Sequence, residues 1–213
     1  PNSEIKMKNK IFRFFLFDII IVSGIFITIF LNSCTCKPCL EKEESQIPLG
    51  VLKKADQFII SKTGDDFFKK NITVDFSQSR HIAPNYLMVY KFYMPEKPFV
   101  DELIRFTVDS AGKVLTQYEV VGIPNCNSNQ NDCDFVVDEK TAKQIATQNN
   151  LAKGITDWKI DFVWNNNHNK YVWEIISTIK ETKNEEYSRA EGEKIIIDSN
   201  NASVLSKDTW KIN

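Results

Sequence analysis

The sequence predicts an α+β protein whose body contains two related halves, each a helix packed on a three- to four-stranded antiparallel sheet. Two observations support this fold class. Each half opens with apolar residues at helical spacing and continues with segments in which apolar and polar residues alternate. Each half also closes on a similar strand–turn–strand pattern. We divide the 213 residues into a signal segment (1–33), a linker (34–48), a first module (49–137) and a second module (138–213).

The signal segment has the residue pattern of an exported protein. Met7 is the expected start, and lysines follow it before an almost wholly apolar run from Phe14 to Leu31. A basic stretch followed by an apolar one is typical of secretory signals. A run of this length would also suit an uncleaved transmembrane helix. Either interpretation predicts a body outside the cytoplasm, held in the cell envelope by a membrane tether.

The end of the apolar run predicts a lipid anchor. Leu31-Asn32-Ser33-Cys34 resembles the lipobox of bacterial lipoprotein precursors, with a branched residue at −3, a small residue at −1 and then cysteine. The resemblance implies cleavage before Cys34 and acylation of its thiol and new amino group, with palmitate as an expected chain. The polar, acidic stretch from Glu41 to Ser45 then predicts a solvated linker between the lipid and the fold, on the periplasmic or outer surface.

Four further cysteines are expected to meet an oxidising compartment. Cys126 and Cys133 bracket a polar loop with little to bury, and we predict that they form a disulfide. Free thiols and cross-pairing to the linker are the alternatives. Cys36 and Cys39 have the spacing of thioredoxin-like sites, but they lie in the linker, where a local disulfide is favoured over redox catalysis. Whether these two cysteines pair stays open.

The first module begins with a helix over 51–60, which Gly64 is expected to end. Asp65 and Asp66 are then predicted to cap a second helical segment. Alternation over 86–93 predicts a strand. The stretch 104–115 predicts a hairpin around an Asp-Ser-Ala-Gly turn, because glycine adopts the positive φ that such a turn requires.

The second module repeats this order of elements. Asp138 is a good helix N-cap, and Gly154 is the expected C-terminal signal of that helix. Alternating stretches at 158–164 and 171–177, joined by an Asn-rich turn, predict an antiparallel hairpin. A last hairpin over 195–205 opens its turn with Asp-Ser, as in the first module, and an Asn pair is expected to supply the positive φ.

The tryptophans of this hairpin have two possible roles. Trp158, Trp164 and Trp173 could form a platform for a carbohydrate or peptide, or they could be core residues. Their alternation along the strands favours core packing.

Together these elements resemble the PepSY-type, cystatin-like α+β module. The resemblance rests on a helix, a Trp/Tyr-rich hairpin and a strand with Ile-Asp, five residues and Val-Leu, here from Ile197 to Leu205. It spans about residues 51–117 and 139–212. It implies an exported protein that binds or inhibits a peptide or protease, and it supplies no catalytic residues.

Catalytic and nucleic-acid-binding patterns are missing from the sequence. With 27 basic and 28 acidic residues, the chain offers no basic field for nucleic acid. His81 and His168 are both expected in loops, and we find no nucleophile elbow, phosphate loop or metalloprotease helix. We therefore predict no enzyme activity, no cofactor and no metal site.

Three hypotheses about function follow from these observations. The leading one is a lipid-anchored binding module that recognises a peptide or protein by strand addition at a sheet edge or in a groove between the halves. The second is an NTF2-like small-ligand or immunity-type lipoprotein, which would need a sizeable apolar cavity inside the sheet. The third is an enzyme whose site is assembled from scattered Asp, Glu and Tyr residues.

Overall fold

The computed structural model describes residues 47–128, 130–183 and 188–212, and residues 45–213 form one compact unit. The signal segment, Cys34, Cys36, Cys39 and nearly all of the linker lie outside the described residues. Within the described ranges, none of the helices combines the length and apolar character needed to cross a membrane.

Two consecutive helices open the fold. Helix α1 (Leu49–Thr63) buries Val51, Ala55 and Ile59 along one face, as the periodicity predicted. Gly64, at φ 87°, ends α1 as expected and donates its N–H to Ile60 O. Helix α2 (Asp65–Asn71) follows, but the predicted capping by its two aspartates is wrong: the N-cap is Gly64, and no side chain caps it. The aspartates instead occupy the first turn, where negative charge favours the helix dipole.

The first sheet contains four antiparallel strands: β1 (Ile72–Val74), β2 (Arg80–Ile82), β3 (Asn85–Tyr93) and β4 (Asp101–Val108). The long strand β3 is central. β1 and β2 pair with successive lengths of one of its edges, and β4 pairs with the other.

The hairpin predicted over 104–115 forms only in part. Its first strand is β4, and Gly112 takes positive φ in the turn, as expected. The prediction of a second strand is wrong, because residues 113–121 contribute only isolated bridges to β4, at Val114 and at Val121. The chain leaves the strand at a turn in which Tyr118 N–H donates to Leu115 O.

A 3-10 turn (Gln130–Cys133) and helix α3 (Glu139–Gln148) connect the two sheets. Asp138 is the N-cap of α3, as predicted, and its carboxylate accepts from the Thr141 N–H at 2.8 Å. The prediction that this helix ends at Gly154 is wrong. Asn149 is the C-cap, and Asn150 turns the chain at φ 55°, a conformation that asparagine tolerates better than most residues.

The second sheet is a four-stranded antiparallel meander in the order β5 (Lys159–Asn165), β6 (Lys170–Lys183), β7 (Ser188–Asp198) and β8 (Val204–Ile212). Both predicted hairpins of this module are confirmed, including the Asn-rich turn between β5 and β6. In the last turn, however, positive φ falls on Ala202 and not on the Asn pair.

One hydrophobic cluster joins the two sheets and the three helices. The Phe92 ring of β3 lies 5.5 Å from the Tyr171 ring of β6, and Phe99 packs at 5.3 Å against Trp173. Trp173 is only 2% exposed, which confirms its predicted core role. Trp158 and Trp164 are partly buried against the same cluster.

Candidate functional site

The loop between the sheets brings the two predicted disulfide cysteines together. Cys126 and Cys133 lie at disulfide distance with their Cα atoms 5.4 Å apart, and both side chains are buried. The neighbouring Asn127 N–H donates to Lys62 O near the end of α1. The cysteine pair closes the loop on itself, and the Asn127 hydrogen bond holds the start of the loop against the first helix. The lipidation residue, Cys34, lies outside the described residues.

The two histidines belong to different sheets of the fold, His81 to the first and His168 to a turn of the second. His168 lies in the Asn-rich turn, as expected. His81 was expected in a loop but is the middle residue of β2, where its ring stacks on Tyr86 at 4.7 Å. In the ranges that the structure describes, no group of three or more His, Cys, Asp or Glu residues is placed to hold a metal ion.

Two carboxyl groups inside the fold have raised pKa values. Burial raises the pKa of Asp56, although the hydrogen bond from the Tyr90 hydroxyl, at 2.8 Å, acts in the opposite direction. Burial also raises the pKa of Glu102, and the adjacent Asp101 charge adds to the effect. Asp56 links α1 to β3, so its hydrogen bond is structural. Both pKa values depend on tertiary burial, which sequence analysis did not detect.

The second sheet has two edge strands, β5 and β8, and β8 is the longer of the two. β8 is the last strand of the sheet, is nine residues long and contains neither proline nor glycine. Successive residues of an antiparallel strand direct their N–H and C=O groups alternately to one side and the other. The turn that precedes β8 determines the side to which the backbone N–H and C=O groups of each β8 residue point.

The Asp198 N–H donates to Ser203 O, so Asp198 and every second residue before it on β7 face β8. The register pairs Lys194 with Asp208 and Gly192 with Trp210, and the backbone groups of these β8 residues therefore point towards β7. The intervening residues direct theirs to the open edge. These residues are Lys207, Thr209 and Lys211.

The side chains around this edge hold β8 in place. Lys207 Nζ donates to the carbonyl oxygens of Asn149 and Asn150 just after α3, and it lies 3.3 Å from a Glu193 carboxylate oxygen. On the other face of the strand, the Trp210 indole N–H donates to Glu193 O at 3.2 Å. These contacts hold β8 in place on the second sheet.

A second candidate site is an open cavity of about 510 Å³ beside the disulfide. Its wall includes the end of α2, the start of the loop after β3, and both cysteines. Asn71 lines it with a side chain that is 5% exposed. The Asp56 and Glu102 carboxyls do not line this cavity.

Comparison with known proteins gives no further guide to either site. No protein-family model matches the chain, and no curated protein matches it.

Proposed function

We propose that this chain is a lipid-anchored, exported binding module that recognises an extended peptide or a strand of another protein at the outer edge of β8. The observation that carries the proposal is the row of outward-facing backbone groups at Lys207, Thr209 and Lys211. An added strand would pair with those groups and extend the second sheet to five strands. No covalent chemistry is required.

The packing of the interior favours the binding-module hypothesis over the small-ligand hypothesis. An NTF2-like function would require an apolar chamber enclosed by the sheet. In this fold the space between the sheets contains fully buried aromatic rings, among them Tyr90, Phe92, Phe106, Phe135 and Tyr171. Protein interiors packed in this way leave little room for a ligand. An edge site requires no such room.

The same proposal includes two related PepSY-like halves. Each half has helix and then four antiparallel strands, α1 and α2 before β1–β4 and α3 before β5–β8. The Asp-Ser turn after β4 has its counterpart in the Asp-Ser turn after β7. In this view the two halves share an ancestor, and each ends in a long strand at the edge of its sheet, β4 and β8.

The anchor in the proposal is Cys34. Cys34→Ala should abolish lipid labelling in cells and leave the precursor uncleaved, because the thiol is the expected acylation site. Normal processing and membrane retention of this variant would favour a spanning helix.

A proline exchange at the β8 edge tests the binding function. Thr209→Pro removes an amide that faces the open edge, where proline is tolerated. Thr209→Val keeps the amide and changes only the side chain. We expect the parent and Thr209→Val to capture the same envelope protein after cross-linking, and Thr209→Pro to lose it.

The control for proline itself is Asp208→Pro. It removes an amide that faces β7 and should lower the melting temperature, whereas Thr209→Pro should not. Equal capture by Thr209→Pro and the parent would contradict binding at this edge. Turnover of a captured protein would place the chain among enzymes.

A further inference from the structure

The edge strand β8 carries charges of opposite sign on the two faces of the second sheet. Successive side chains of a strand point to opposite faces, so Lys211 and Asp208 lie on different faces, and both are exposed. Lys207 shares the face of Lys211, but its charge is already compensated by Glu193, at 3.3 Å. The charges of Lys211 and Asp208 depend on what each meets on β7.

The face that carries Lys211 has one positive charge in excess. The register places Lys211 opposite Glu191 on β7, but Glu191 already pairs with Lys180 of β6 at 2.7 Å. The hydrogen bond and the charge of Lys180 lower the pKa of Glu191, and the charge of Lys211 adds a smaller effect. Two ammonium groups therefore share one carboxylate, and the ammonium group nearer the open edge is that of Lys211.

The face that carries Asp208 has one negative charge in excess. The register places Asp208 opposite Lys194 on β7, but Lys194 already pairs with Glu174 of β6 at 3.1 Å. Among the described residues, the Asp208 carboxylate makes neither a hydrogen bond nor an ion pair. Ile212 lies on the same face of β8 and is 56% exposed. The open edge thus presents a carboxylate and an apolar side chain on this face.

These three side chains define the partner that would complete them. Residues directly opposite each other on antiparallel strands have Cβ atoms about 5 Å apart, within reach for opposite charges to attract and apolar groups to pack. A complementary strand would place a carboxylate opposite Lys211, a cation opposite Asp208 and an apolar side chain opposite Ile212.

A second copy of β8 does not meet this requirement. In an antiparallel ladder, two directly opposite residues direct their backbone groups either both towards each other or both away. In a pair of β8 strands, Lys211 would therefore lie opposite one of the residues whose backbone groups face the open edge, which include Lys207, Thr209 and Lys211 itself. None of these three is acidic, so charge complementarity favours a different protein.

We infer that the partner of β8 is an antiparallel strand of another protein, with the residue order apolar, acidic, any two residues, basic. The apolar residue lies opposite Ile212, the acidic residue opposite Lys211 and the basic residue opposite Asp208. This inference rests on the proposed edge function and names the chemistry of its partner. Antiparallel addition continues the meander and is slightly more stable per residue than parallel addition.

The test is an NMR titration of the full chain, solubilised in detergent, with two peptides of identical composition. Acetyl-Thr-Val-Glu-Val-Thr-Lys-Thr-amide has the inferred order, and acetyl-Thr-Val-Lys-Val-Thr-Glu-Thr-amide exchanges its two charges. We expect the first peptide to shift the amide signals of Lys207, Thr209 and Lys211. It should bind at least about fivefold more tightly than the second, which places like charges opposite each other at two positions.

A charge exchange in the protein should reverse this preference. The double variant Asp208→Lys with Lys211→Glu should bind the second peptide more tightly than the first. Its matched control is Lys53→Glu with Asp101→Lys, which exchanges the same charges at two exposed positions on α1 and β4 and should keep the preference of the parent. If the β8 double variant does not fold, the two peptides still decide the question on the parent protein.

Thr209→Pro separates failure of the partner order from failure of the edge function. If the two peptides bind the parent equally and Thr209→Pro abolishes both interactions, the edge function stands and the inferred order is wrong. If both peptides bind Thr209→Pro as they bind the parent, the edge function itself is wrong, and the inference falls with it. A parent that prefers the second peptide, or that binds neither at millimolar concentration, would also overturn the inference.

Discussion

The edges of the two sheets differ in how much of them is covered by other segments of the chain. In the first sheet, the central strand β3 is covered on one side by two strands of three residues each, β1 and β2. Its other neighbour, β4, is partly covered by the returning chain, since Arg105 and Val121 exchange backbone hydrogen bonds. The second sheet ends in the nine-residue strand β8, whose outer edge lies open.

The difference bears on where the proposed partner would bind. Short strands and covering loops are common ways of preventing edge-to-edge association. The first sheet uses both. β8 has charge, with Lys207, Asp208 and Lys211 along its length, and a break in its pairing with β7 near Val204. Charged side chains oppose indiscriminate pairing of identical edges but allow a partner of complementary sequence. The second sheet therefore has the edge that the proposed recognition would use.

The largest expected effect is a difference in lost stability between a substitution at the centre of the second sheet and one at its edge. Trp173 on β6 is 2% exposed, and its indole N–H donates to Val137 O at 2.8 Å. Trp173→Ala should lower the free energy of unfolding by about 3 to 5 kcal/mol through the cavity that it leaves. Trp210→Ala on β8 should cost far less, because that ring is only partly buried. Urea denaturation of both variants provides the measurement, and equal losses would remove the distinction between centre and edge.

The next effect concerns the loop that joins the sheets. Replacing both Cys126 and Cys133 by alanine should lower the free energy of unfolding by about 2 to 3 kcal/mol, because the link restricts a short loop in the unfolded chain. Reducing the parent protein should produce the same loss, and reducing the double variant should produce none. Mass spectrometry of protein alkylated without reduction should find both thiols blocked. Quantitative labelling of both thiols would refute the pairing.

A smaller, pH-dependent effect should appear at the closed edge of the first sheet. Asp75, between β1 and β2, is buried, and its Oδ1 accepts from the Ser77 hydroxyl at 2.5 Å and from the Gln78 N–H. The Ser77 hydroxyl, followed by the Gln78 side-chain amide, lowers the pKa of Asp75. Its contribution to stability is therefore complete above the ordinary aspartate pKa and is lost as the pH falls through the lowered value.

Asp75→Asn should cost on the order of 1 kcal/mol at neutral pH, because hydrogen bonds to a charged acceptor are the stronger ones. The cost should shrink as the pH falls below the ordinary aspartate pKa, since the parent then loses the same charge. Thermal melts across this acidic range provide the measurement. A difference between parent and variant that does not change with pH would show that the charge is irrelevant.

Local patterns predicted most of the helices and strands. The apolar spacing from Val51 to Ile59 and the alternation around Trp173 each report the burial of one face, and both were correct. The errors came where a turn competes with a regular element. Asn149 and Asn150 end α3 before Gly154, and the chain after Gly112 leaves β4 early. Neither outcome follows from hydrophobic periodicity alone.

The candidate sites were less predictable than the fold. Cys126 and Cys133 could be paired from their spacing and from the polar loop between them. The open edge of β8 depends on which strand comes last in the sheet, which is a property of the topology. The cavity beside the disulfide depends on the meeting of α2, the loop after β3 and the disulfide loop. No pattern along the chain reports such long-range relationships.

Amide hydrogen exchange along β8, measured with and without a captured partner, tests the central claim most directly. In the free protein, the amides of Asp208 and Trp210 should be protected by β7, while those of Lys207, Thr209 and Lys211 should exchange rapidly. When the partner binds, the second set should become protected and the first should change little, so that the alternation disappears. A partner that binds while Lys207, Thr209 and Lys211 continue to exchange rapidly would contradict recognition at this edge.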